Sequence, residues 1–111
     1  MTPYTIGFDV GGTRLKSGGV TQQGTLLAQG VASSGANLGP EVLLESLVAE
    51  VERISQKAKA RPLSIGLALP GGVHPNRGVV ALPGKLDGVE GFPLVPKLQR
   101  AVRILPSGDL V

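Results

Sequence analysis

Apolar and polar residues alternate over three consecutive stretches near the amino end, Thr5 to Val10, Arg14 to Val20 and Thr25 to Ala32, separated by Gly11-Gly12-Thr13 and by Thr21-Gln22-Gln23-Gly24. Period-two alternation bounded by turn formers predicts strands, and their short separations predict an antiparallel meander. Ser33 to Pro40 is rich in Ser, Gly and Asn and reads as a loop. Pro40 suits the first position of a helix, where a missing N–H costs nothing. From Glu41 to about Ala60 the period lengthens, and Leu44, Leu47, Val48, Val51, Ile54 and Ala58 recur at helical spacing, with Glu45, Glu52, Arg53, Gln56 and Lys57 mostly elsewhere. That apolar face is expected to pack on the sheet, and Arg61-Pro62 ends the helix.

Leu63 to Leu69 is so uniformly apolar that it predicts a strand covered on both faces, in the centre of the sheet. Pro70 to Gly78 reads as a loop, Val79 to Leu82 as a short strand and Pro83 to Gly91 as irregular. Phe92-Pro93 introduces a short helix from about Leu94 to Arg100, and Val102 to Leu105 reads as a further strand closing with Pro106-Ser107-Gly108-Asp109. The order of three meander strands, helix, strand, helix and strand predicts an α/β fold. That order resembles the half-domain of the ribonuclease H-like fold, which implies a meander, parallel strands and helices packed on the sheet.

Composition narrows the picture. A chain of 111 residues is one domain's worth, able to bury roughly two thirds of its unfolded surface. Hydrophobic residues make up 41% but aromatics only 3%, so the core must be largely aliphatic. Without cysteine, neither a disulfide framework nor a thiolate metal site can form. Met1-Thr2-Pro3-Tyr4 lacks the basic and apolar regions of a signal peptide, and the longest apolar run is too short to span a bilayer. A cytoplasmic protein without a membrane partner is expected. The formal charge of +3 comes from scattered cations with no interleaved aromatics, which argues against nucleic acid. The densest basic run, Lys57 to Arg61, complements the carboxyl-end dipole of the predicted helix.

The chemistry is concentrated at the first turn. Asp9 ends an apolar strand and is followed by Gly11-Gly12-Thr13, after which strand character resumes. Gly-Gly alone is also an ordinary hairpin turn. The carboxylate beside it changes the reading, because Asp9 can hold Mg2+ through water while the amides of Gly11, Gly12 and Thr13 line phosphates. Arg14 adds positive charge, or is a solvent-facing cation. Neither Gly-x-x-x-x-Gly-Lys-Ser/Thr nor Gly-x-Gly-x-x-Gly occurs, so the phosphate would meet a strand-turn-strand rather than a helix N-terminus. His74 has no second His or Cys nearby and reads as a surface residue.

Asp9-Val10-Gly11-Gly12-Thr13-Arg14 resembles the first phosphate motif of the ROK family of sugar kinases and repressors, within the actin/hexokinase superfamily. Ile65 to Val80 resembles that family's strand and Pro-Gly loop, and Leu82 to Leu94 the segment leading toward the sugar. The likeness covers essentially the whole chain in the family's order. It implies a glucokinase-like transferase that moves the γ-phosphoryl group of ATP, with Mg2+, to a hexose hydroxyl. Gly71 and Gly72 would lie against the sugar, although Pro-Gly is also a common turn. Lys85 stands where relatives often carry a sugar-contacting Asn and Val89 where they often carry Trp, so the hexose is not specified. Asp109 falls at the place of the base that takes the hydroxyl proton, with Gly108 where the family has Asn; a turn residue is its plain alternative.

The resemblance also implies a carboxy-terminal lobe after the Asp109 position, with the adenosine-binding half, a second phosphate loop and a zinc cluster. Residues 1–111 would then be the amino-terminal lobe, almost inactive by itself. Its partners would be a hexose, a nucleotide and that missing lobe, and a homo-oligomer is compatible. The alternative is a non-catalytic relative, acting as a sugar-sensing regulator or interaction module. ROK repressors carry a helix-turn-helix ahead of the phosphate strand, and here that strand starts within the first few residues, which favours the kinase.

Overall fold

The computed structural model describes residues 3–68 and 93–102. Strands β1 (Tyr4–Val10), β2 (Arg14–Thr21) and β3 (Leu26–Ser33) form the expected antiparallel meander. Strand β4 (Ser64–Ala68) pairs parallel to β1, giving the order β3-β2-β1-β4. Parallel pairing needs a long crossover, and helix α1 (Pro40–Ala58) supplies it. Helix α2 (Leu94–Ala101) packs on α1. This is the α/β arrangement expected from the element order. Among the described residues, no helix is long and apolar enough to cross a membrane.

Alternation along β1 decides where the core sits. Tyr4, Ile6, Phe8 and Val10 are buried, while Thr5, Gly7 and Asp9 are exposed on the other face. The buried row meets Leu43, Leu47, Val51 and Ile54 of α1 in one core that also takes in Leu15, Ala28, Leu94, Leu98 and Val102. Each large apolar side chain so buried contributes about 1.5–3 kcal/mol. Gly19 lets the helix come close, since a Cβ there would stand 3.1 Å from Ile54 Cγ2 and 3.2 Å from Tyr4 Cδ2. The helix begins with Pro40 and ends at Lys59, whose φ of 58° is left-handed and whose amide donates to Gln56 and Ser55 carbonyls. Tyr4 Oη donates to Ala60 O at 2.5 Å and ties that end to β1.

The buried face of α1 is Leu43, Leu47, Glu50, Val51, Ile54 and Ser55, rotated from the expected stripe so that Leu44, Val48 and Ala58 are half-buried at its flanks. The rotation places Glu50 against the sheet, 8% exposed. A carboxylate there must be hydrogen-bonded. Its oxygens accept from Ser17 Oγ at 3.1 Å and from Arg53 Nε and Nη2, each at 3.0 Å, and Arg53 Nη2 also donates to Gln29 O at 3.3 Å. The hydrogen bond from Arg53 holds the Glu50 carboxyl below its ordinary value, overcoming the opposing effect of burial.

A central place for β4 would need a neighbouring strand from outside the described residues. Among the described residues β4 is the outer member of the sheet, with Gly66 and Ala68 exposed, and β1 holds the inner place. The strand expected at Val102–Leu105 lies outside the described residues, apart from Val102, which is buried just after α2. The loops and short strand expected across residues 70–91 lie outside them as well.

Candidate phosphate-binding hairpin

Strand β1 carries Asp9 to its exposed face one residue before it ends at the buried Val10. The turn Gly11-Gly12-Thr13 then leads back into β2. The Gly11 amide donates to Arg14 O at 2.8 Å and closes the hairpin. The turn's carbonyls are all engaged by the segment after β3, which runs into a 3-10 turn at Ala36–Leu38. Gly11 O accepts from Ser34 Oγ at 2.9 Å, Gly12 O from the Asn37 amide at 3.1 Å, and Thr13 O from the Ser34 amide at 2.9 Å.

Those bonds fix the amides too. In a trans peptide the C=O and the following N–H point in opposite directions, and no cis bond occurs among the described residues. The amides of Gly12, Thr13 and Arg14 therefore point away from the Ser34–Asn37 segment. Among the described residues, the Gly12 and Thr13 amides have no acceptor. Of the expected Gly11, Gly12 and Thr13 amides, the last two are thus open to a ligand, while Arg14, whose carbonyl faces Gly11, turns its amide to that same side. Gly11 instead closes the turn, where a Cβ would meet Arg14 O at 3.1 Å.

Charge is gathered on the same side. Asp9 stands directly opposite Lys16 in the β1–β2 register, and residues so paired share a face. Arg14, two residues before Lys16, lies on that face by strand alternation and is exposed. Asp9, Arg14 and Lys16 line an open depression of about 310 Å3 with Gly11, Gly12 and Thr13. Asp9 and Lys16 also border a second one of about 540 Å3, which extends over Gly7, Gly66 and Ala68. Among the described residues, none of the three charges is held in an ion pair.

One carboxylate flanked by two cations and outward amides suits a polyphosphate carrying a hydrated divalent ion. Mg2+ keeps several waters and takes one or two carboxylates plus phosphate oxygens, so Asp9 alone fits that role. The described residues contain no cluster of three or more His, Cys, Asp or Glu that would cage a metal. Sequence reasoning missed Lys16, although strand alternation puts it on Arg14's face. It also read Ser34 and Asn37 as plain loop, because carbonyl partners distant in sequence leave no local pattern. Gly71, Gly72, His74, Lys85 and Asp109 lie outside the described residues.

Residues 5–105 match the profile of the ROK family. The structure is similar to the ROK hexokinase from Thermus thermophilus, with a TM-score of 0.78 and 29% identity over 96% of this chain and 33% of that one. It is also similar to a ROK family glucokinase from Streptomyces griseus solved in complex with glucose and AMPPNP, with a TM-score of 0.75 and 25% identity over 97% of this chain and 32% of that one. A ROK family transcriptional regulator, a homolog of the E. coli MLC protein, shares the fold, with a TM-score of 0.74 at 20% identity over 99% of this chain and 27% of its own. Comparison with curated proteins finds no match. The chain spans about a third of the length of the two kinases. With 5–105 of its 111 residues matched by the profile, the chain belongs to the ROK family.

Proposed function

We propose that this chain is the amino-terminal, phosphate-binding lobe of an ATP-dependent hexose kinase of the glucokinase type. The observation that carries the reading is the hairpin whose carbonyls are tied back, leaving the Gly12 and Thr13 amides without an acceptor beside Asp9 and Lys16. Backbone donors and fixed cations are what phosphoryl transfer asks of a protein, since catalysis there is mainly positioning and charge stabilisation. Asp9 would hold Mg2+ through water; when bound, the ion neutralises charge on the phosphates. Lys16 and Arg14 would face the phosphate oxygens. Asp109 is the proposed base for the hexose hydroxyl, with Gly71, Gly72 and Lys85 on the sugar side.

The glucokinase from Streptomyces griseus, solved with glucose and AMPPNP, supports a hexose and a nucleotide as the ligand pair. Fold alone does not separate a kinase from a regulator, because the MLC homolog shares it. Binding and transfer do separate them. The 111-residue chain is expected to bind MgATP weakly through its phosphates, and Asp9→Asn to lower that affinity about tenfold and remove most of its Mg2+ dependence. ATP-dependent phosphorylation of glucose by the chain alone is expected to be negligible, since a lobe a third the length of the kinases lacks the other side of the cleft. Calorimetry showing equal MgATP affinity for the wild type and Asp9→Asn would refute the assignment of Asp9.

A further inference from the structure

Ser34 is fully buried, and its hydroxyl sits between two backbone groups of different elements. It accepts from the Ala36 amide at 3.2 Å and donates to Gly11 O at 2.9 Å. An amide can only donate, so the bond from Ala36 leaves the single hydroxyl proton for Gly11 O. The same residue's own amide donates to Thr13 O, and the Asn37 amide to Gly12 O. The 3-10 turn is itself closed by Leu38 N donating to Gly35 O at 2.9 Å and Gly39 N to Ala36 O at 3.3 Å. The segment is therefore a rigid brace behind the phosphate hairpin.

We infer that Ser34 is a positioning residue, whose hydroxyl, by holding the Gly11 carbonyl back, turns the Gly12 amide toward the phosphate. The inference rests on the phosphate-binding reading above. It gives the hydroxyl a role in ligand affinity that burial alone would not require. Without it the Gly11–Gly12 peptide loses its anchor and can rotate, and the outward amides no longer converge. One such hydrogen bond is worth about a five- to tenfold change in affinity.

The test measures the affinity of the 111-residue chain for magnesium tripolyphosphate by calorimetry, in the wild type, Ser34→Ala, Ser34→Cys and Val51→Ala. Val51 is a fully buried core residue whose side chain makes no hydrogen bond, so its truncation lowers stability without removing any of these bonds. The expected result is binding weakened about five- to tenfold in Ser34→Ala, by an intermediate factor in Ser34→Cys, whose thiol fills the same space but donates weakly, and not at all in Val51→Ala. If Ser34→Ala does not fold, Ser34→Cys decides. A folded Ser34 variant that binds as the wild type does overturns the inference and leaves the phosphate reading standing, as does an equal loss in Val51→Ala. A wild type that does not bind the probe overturns both.

Discussion

Asp9 and Lys16 show how a single register step gathers charge at the proposed site. Because they face each other across the β1–β2 pair, their charges sit on the exposed face beside the turn while their neighbours Val10 and Leu15 close the core. Lys16→Met is therefore expected to reduce MgATP affinity by about tenfold, the scale of one charge-assisted hydrogen bond, and to leave the melting temperature almost unchanged. Comparable affinities in the two proteins would mean that Lys16 points away from the ligand. Glu50 carries a prediction of the opposite kind, on stability. Its carboxyl titrates below the ordinary 4.5 because Arg53 and Ser17 donate to it. A depressed folded value contributes stability that is fully present above the unfolded value and is lost as pH falls through the folded one. Acid titration followed by circular dichroism should show a shallower loss of stability below about pH 4.5 in Glu50→Gln than in the wild type. Superimposable acid limbs would remove Glu50 from the account.

At the scale of elements, the meander and α1 were legible because each repeats one period over several residues, with Gly-Gly, Pro40 and Pro62 marking breaks, and α2 because Phe92-Pro93 marks its start. The inward face of α1 was less so. Leu44 and Val48 look as inward as Leu43 and Leu47 by hydrophobicity, and it takes Arg53 on the same helix, itself bonded to Gln29 O of β3, and Ser17 of β2 to make Glu50 an acceptable core residue. In the site, Asp9 and the glycine turn were readable from type and order, whereas the direction of the amides was not. That direction depends on Ser34 and Asn37, held in place by Gly35 at a φ of 66°. Gly35 admits no side chain, since a Cβ would lie 2.3 Å from Val42 Cγ1 as well as in a left-handed backbone. Gly35→Ala is expected to cost about 1–3 kcal/mol in urea unfolding. A change below the error of that measurement would show that the brace tolerates rearrangement.

For the molecule as a whole, one face of the sheet is closed by α1 and the opposite face carries the candidate chemistry. The hairpin lies at the end of the inner strand β1, so the rigid core reaches within one residue of Asp9. A phosphate site mounted this way would be largely formed before its ligand arrives, which limits the ordering cost of binding. Backbone amide shifts report on that arrangement residue by residue. In a 15N-labelled sample of the 111-residue chain titrated with MgATP, the largest shifts are expected at Gly12 and Thr13, with Gly11 moving less because its amide is already bonded to Arg14 O. Shifts spread elsewhere, or none at the hairpin at saturating MgATP, would contradict the claim that this turn seats the phosphates.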